Sequence, residues 1–84
     1  MASRSVTCPW EHKGRIMRTL INEQRNNTIE LFDGLRVMRD NGWVLVLPDA
    51  SEPTFKVIAE GSTSETAARY VDAMAARIEE LVNA

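Results

Sequence analysis

Only one cysteine, Cys8, occurs in the 84 residues. An internal disulfide is therefore ruled out, and a reducing, cytoplasmic setting is expected. The single histidine, His12, has no Asp or Cys at a helical ligand spacing and reads as a surface residue. With no His/Cys cluster at metal-binding spacing, a structural or catalytic metal site in this chain is not expected. No apolar run approaches the ~20 residues that span a bilayer. The opening Met-Ala-Ser-Arg-Ser-Val lacks the apolar centre of a signal peptide, so neither a membrane nor a leader is expected. Neither sign of charge dominates: 10 basic and 12 acidic side chains leave a net charge of −2. Nucleic acid and anionic membrane surfaces are thus poor partners. Also missing are a glycine-rich loop leading from strand to helix, an internal repeat, a low-complexity tract and a linker. One small domain, residues 1–84, is the expectation, burying roughly 60–65% of its unfolded surface.

What is present centres on Asp40 to Glu60. Two strand-like runs, Gly42 to Leu47 and Phe55 to Glu60, bracket the polar loop Leu47-Pro48-Asp49-Ala50-Ser51-Glu52-Pro53. Its two prolines fix φ and withhold amide donors, so the loop should be stiff. Before it, Arg4 to Cys8 reads as a strand, and Pro9 suits the first turn of a helix running to about Arg25. Trp10, Gly14, Met17, Leu20 and Ile21 suggest that helix's buried face, with Gly14 allowing close approach to a sheet. Thr28 to Arg39 is β-prone, with a bulge or turn at Asp33-Gly34. Asp40-Asn41-Gly42 then closes a hairpin into Trp43. Phe55, Val57 and Ala59 share one face of the following strand; Lys56, Ile58 and Glu60 share the other. Ser62 and Glu65 have capping-box spacing before a helix whose stripe is Ala67, Val71, Met74, Ile78 and Leu81. The order is β-α-β-β-β-α, an α+β domain with two helices on one face of a four-stranded antiparallel sheet.

Asp33-Gly34-Leu35-Arg36-Val37, the segment Gly42 to Pro53, and Val57-Ile58-Ala59-Glu60 together resemble the C-terminal domain of the α-D-phosphohexomutases, the phosphoglucomutase and phosphomannomutase family. Thr7-Cys8-Pro9-Trp10-Glu11, followed by Lys13 to Arg18, resembles the degenerate form fused to mannose-1-phosphate guanylyltransferase. The resemblance implies a TATA-box-binding-protein-like fold and a parent acting on mannose or glucose phosphates in sugar-nucleotide metabolism. In that family the loop reads Arg-Pro-Ser-Gly-Thr-Glu-Pro and grips the substrate phosphate. Here Leu47, Asp49, Ala50 and Ser51 replace Arg, Ser, Gly and Thr, while Pro48, Glu52 and Pro53 are kept. Losing the guanidinium removes charge-assisted hydrogen bonds worth roughly 1.5–3 kcal/mol each. A carboxylate about 4 Å from a phosphate adds about 4 kcal/mol of repulsion at an effective dielectric near 20. Ala50 would cost about 1–2 kcal/mol if the position needs positive φ.

The resemblance further implies that the phosphoserine nucleophile and the Mg²⁺ ligands lie in other domains of the parent. This domain alone would have no catalytic residue and no cofactor. Its expected partners are those other domains and, weakly, a hexose phosphate. Asp49, Ser51 and Glu52 can be read as residual ligand contacts or as a turn bonding its own backbone. Lys13, Arg15 and Arg18 can be read as a basic strip or as a solvated helix face. Trp10 and Trp43 read as core anchors, and Cys8 as a small half-buried residue. The alternative function is a free-standing interaction or oligomerisation module using an open sheet face, with Ile58, Val44 and Val46 as its apolar residues, or an edge strand.

Overall fold

A computed structural model describes residues 1–84. Strand β1 (Ala2–Thr7) leads into helix α1 (Trp10–Glu23), followed by β2 (Ile29–Leu31), β3 (Leu35–Arg39), β4 (Gly42–Pro48) and β5 (Thr54–Gly61). Helix α2 (Ser64–Val82) completes the order. The five strands form one antiparallel sheet in the order β1-β5-β4-β3-β2.

The expected four strands are therefore five. Asp33-Gly34 is a turn rather than a bulge: Ile29 pairs with Val37 and Leu31 with Leu35, so the β-prone stretch folds back on itself. Asp33 takes φ 63°, which its short polar side chain tolerates. Gly34 must lack a Cβ because one would run into the main-chain oxygen of Val46. The hairpin after β3 closes as expected, with Arg39 opposite Gly42. A Cβ on Gly42 would strike the main-chain oxygen of Glu60.

Alternation sorts the sheet into two faces. Val6, Leu35, Val37, Val44, Val46, Phe55, Val57 and Ala59 are buried on one face, and they form a single cluster with Ile16 and Leu20 of α1 and Val71, Met74, Ala75, Ile78 and Leu81 of α2. Val44 and Val46 thus belong to the helix-covered face, not to the open one where they were expected. The open face carries Arg36, Trp43, Leu45, Leu47, Lys56 and Ile58, set by the pairs Arg36–Leu45, Leu45–Ile58 and Leu47–Lys56.

Helix α2 buries the expected stripe. Its cap is Thr63 rather than Ser62: the Thr63 hydroxyl accepts from the Thr66 amide at 3.0 Å. Helix α1 is rotated relative to expectation. Lys13, Ile16 and Leu20 are its buried residues, Met17 and Ile21 pack partly against the core, and Gly14 is exposed. Trp10 is 51% exposed and Trp43 lies half-buried on the open face, so neither anchors the core. Polar links tie the helices down. Arg77 of α2 donates through Nε to both carboxylate oxygens of Glu23 in α1, at 3.1 and 3.2 Å. Arg15 donates to the main-chain oxygen of Leu81 at 3.1 Å. Arg4 on β1 pairs with Asp72 and Glu79.

Candidate functional site

The loop from Leu47 to Pro53 leaves the end of β4 and re-enters the sheet at Thr54, where the Asp49 amide donates to the Thr54 carbonyl at 3.0 Å. Within it, one oxygen of the Asp49 carboxylate accepts from the Ser51 amide at 2.9 Å, the Ser51 hydroxyl at 3.0 Å and the Glu52 amide at 3.3 Å. These hydrogen bonds, the Ser51 amide first, hold the Asp49 carboxyl below its ordinary pKa, with the nearby Lys56 ammonium adding to the effect. The turn is thus closed by its own side chain, one of the two readings open from sequence. Ala50 does not take positive φ, so the backbone penalty anticipated for replacing glycine does not arise.

The β1–α1 corner grips the same loop from beneath. The Cys8 amide donates to the Pro53 carbonyl at 2.8 Å. Lys13 extends its ammonium to the carbonyl oxygens of Asp49 and Glu52, each at 2.6 Å. The Trp10 ring covers that ammonium, 3.9 Å from the ring centroid. Lys13 is only 8% exposed, so it belongs neither to a basic strip nor to a solvated helix face. Sequence reasoning missed this role because a lysine on a helix wheel scores as solvent-facing. The available signal was its i, i+3 spacing from Trp10 and from Ile16. Cys8 is fully buried, and burial pushes its thiol pKa up against the opposing pull of Lys13 and Arg15.

Leu47 is half-buried on the open face, and Lys56 stands directly opposite it on β5. Pro48, Ala50, Ser51, Glu52 and Pro53 are exposed. Leu47, Pro48, Asp49 and Lys56 line a shallow depression of about 210 Å³, below the roughly 300 Å³ at which small-molecule clefts begin. No three His, Cys, Asp or Glu residues converge in this domain. No helix is long and apolar enough to cross a membrane, and the one cysteine has no intrachain partner.

A strand-edge loop clamped from below, on an antiparallel sheet with two helices, is the arrangement to set beside known proteins. No protein-family model matches the chain. By sequence, the chain is a homologue of the phosphohexomutases, corresponding to the C-terminal part of those proteins. It is 37% identical over 70 residues to a probable phosphoglucosamine mutase of Methanopyrus kandleri, covering 81% of this chain and 16% of that protein. Another probable phosphoglucosamine mutase, from Methanothermobacter thermautotrophicus, is 40% identical over 72 residues, covering 79% of this chain and 16% of the relative. A phosphoglucomutase/phosphomannomutase of Thermococcus kodakarensis is 32% identical over 50 residues, covering 60% of this chain and 11% of the relative. The chain therefore spans about one sixth of the length of the first two relatives.

Proposed function

We propose that residues 1–84 form a single C-terminal-type domain of a phosphohexomutase-related cytoplasmic protein of sugar-nucleotide metabolism, with a structural or docking role in place of a firm phosphate grip. The parent would be of the mannose-1-phosphate guanylyltransferase fusion type, as the segment Thr7 to Arg18 suggests, and its Mg²⁺ would be held by other domains. The fold would be of the TATA-box-binding-protein-like kind. Leu47, Pro48, Asp49, Ala50, Ser51, Glu52 and Pro53 would be the degenerate descendant of a phosphate-binding loop. The names of the relatives point to phosphorylated sugars as the class of compound to test, glucosamine phosphates included.

The observation that carries this reading is the Asp49 carboxylate. It already receives the Ser51 and Glu52 amides, so an incoming phosphate meets a fixed negative charge where free N–H groups would be needed. Leu47 offers no cation in compensation. The domain alone catalyses nothing in this account.

Backbone amide shifts of residues 47–53 during titration with mannose 1-phosphate, mannose 6-phosphate and glucosamine 6-phosphate test the lost grip. Non-saturating shifts at millimolar ligand are expected. Saturation at submillimolar ligand would overturn the reading.

One observation favours the second reading, an interaction module. The open sheet face presents Trp43, Leu45, Leu47 and Ile58 half-buried, with Phe32, 83% exposed, lining one depression together with Leu45 and Leu47. A patch of this composition is typical of contact surfaces. Sedimentation across a concentration series separates the readings, because a cap domain stays monomeric and a self-assembling module gains mass.

A further inference from the structure

We propose that Lys13 is the positioning residue of the loop: its buried ammonium shapes residues 49–52 into an oxyanion-receiving nest, which Asp49 fills with its own carboxylate. This concerns the same loop as the proposed function and rests on that reading for its meaning. Its test contains no sugar phosphate, so the two can fail separately.

An ammonium has three N–H donors and no acceptor. Two reach the carbonyl oxygens of Asp49 and Glu52 at 2.6 Å, and the Trp10 ring lies over the charge. No carboxylate pairs with Lys13, so carbonyl dipoles and a π face replace the water lost at 8% exposure. A fixed cation attracts carbonyl oxygens and repels N–H dipoles, and so sorts the peptide groups of a short loop by direction. The carbonyls it gathers are those of residues 49 and 52, which bracket the turn. The amides of Ser51 and Glu52 converge instead on the Asp49 carboxylate. Successive amides aimed at one point form an anion nest.

The flanking prolines do not account for this shape. Pro48 ends β4 opposite Phe55, and Pro53 is tied through its carbonyl to the Cys8 amide. They fix where the loop begins and ends, but the orientation of the peptide units between them follows the ammonium. Other charge facing the Asp49 carboxylate comes from Lys56 on β5.

Two measurements test the proposal. Lys13 and Lys56 are the only lysines, so acetic anhydride footprinting of the folded wild-type chain carries its own control. Lys56 should label freely and Lys13 at least about tenfold more slowly, as for a group reached only by local opening. Equal labelling overturns the proposal. The second measurement follows the Asp49 carboxyl titration and the Ser51 and Glu52 amide shifts by NMR in Lys13→Met and Lys13→Arg. Arginine keeps the charge, but its larger planar guanidinium has fixed N–H directions and does not reproduce the compact ammonium held between the two carbonyls and the Trp10 ring. If Lys13 positions the loop, both variants raise the Asp49 pKa toward that of an unstructured aspartate and move both amides. A wild-type Asp49 titration and wild-type amide shifts in Lys13→Arg would mean that charge alone matters, and the positioning role would be wrong. Should Lys13→Met fail to fold, the arginine variant and the footprint decide the question.

Discussion

Leu47 of β4 and Lys56 of β5 stand directly opposite each other at the mouth of the loop, with their side chains on the same open face of the sheet. An apolar side chain thus sits beside a lysine one strand away at the start of the loop. Leu47→Arg should therefore set two cations side by side. Without an anion, the variant should lose about 0.2–1 kcal/mol through cross-strand repulsion. Chemical denaturation at low and high salt checks this, since screening should recover most of the loss.

Lys13→Met should be far more damaging than a change at a surface lysine. It removes two hydrogen bonds from a charged donor, of a class worth about 1.5–3 kcal/mol each, and leaves two loop carbonyls to water. A loss of about 2–4 kcal/mol in denaturant unfolding is expected, allowing for partial rehydration of the exposed loop. Lys56→Met should stay within about 0.5 kcal/mol of wild type.

Gly14→Ala should stabilise the isolated domain. Gly14 is exposed on α1, and an added Cβ would meet only the mobile end of Arg18 at 3.3 Å. Helix propensity then favours alanine by about 0.5–1 kcal/mol, readable as a rise in melting temperature. Gly42→Ala should do the opposite, because its Cβ would collide with the main chain of Glu60.

The errors made from sequence on α1 have one physical origin. Hydropathy places tryptophan inside and lysine outside, yet Trp10 lies half in solvent as a cover for the ammonium of Lys13. The true stripe, Lys13, Ile16 and Leu20, was hidden because its first member is charged. Helix α2 had no such member, and its stripe from Ala67 to Leu81 was legible throughout. The sheet faces were legible on β5, where apolar and polar residues alternate. They were ambiguous on β4, where Trp43 to Leu47 is apolar on both sides and only pairing with β3 and β5 assigns Val44 and Val46. Asp33-Gly34 announced a break, but only Ile29 pairing back onto Val37 distinguishes a hairpin from a bulge. The self-bonding tendency of Asp49 and Ser51 was readable from residue type. The grip from the β1–α1 corner was not, because it joins residues 36 and 39 positions apart.

Acid should loosen the loop before the core. The carboxyls of Asp49 and Glu23 are held below their ordinary pKa values, Asp49 chiefly by the Ser51 amide and Glu23 chiefly by its hydrogen bond from Arg77. A folded-state pKa below the unfolded one gives stabilisation that is present above about pH 4 and lost as pH falls through the folded value. Asp49→Asn should therefore flatten the acid limb of the stability profile below about pH 4 and leave the neutral plateau with little pH dependence. An acid limb as steep as that of the wild type would show that the loop carboxylate has no part in it.

The central claim is that this loop has exchanged its phosphate grip for an internal carboxylate. Calorimetric titration of mannose 1-phosphate into the wild-type chain and into the triple variant Leu47→Arg, Asp49→Ser, Ala50→Gly tests it most directly. The account predicts no saturable heat for the wild type and measurable binding for the variant. Submillimolar binding by the wild type, matched or exceeded against the variant, would contradict it.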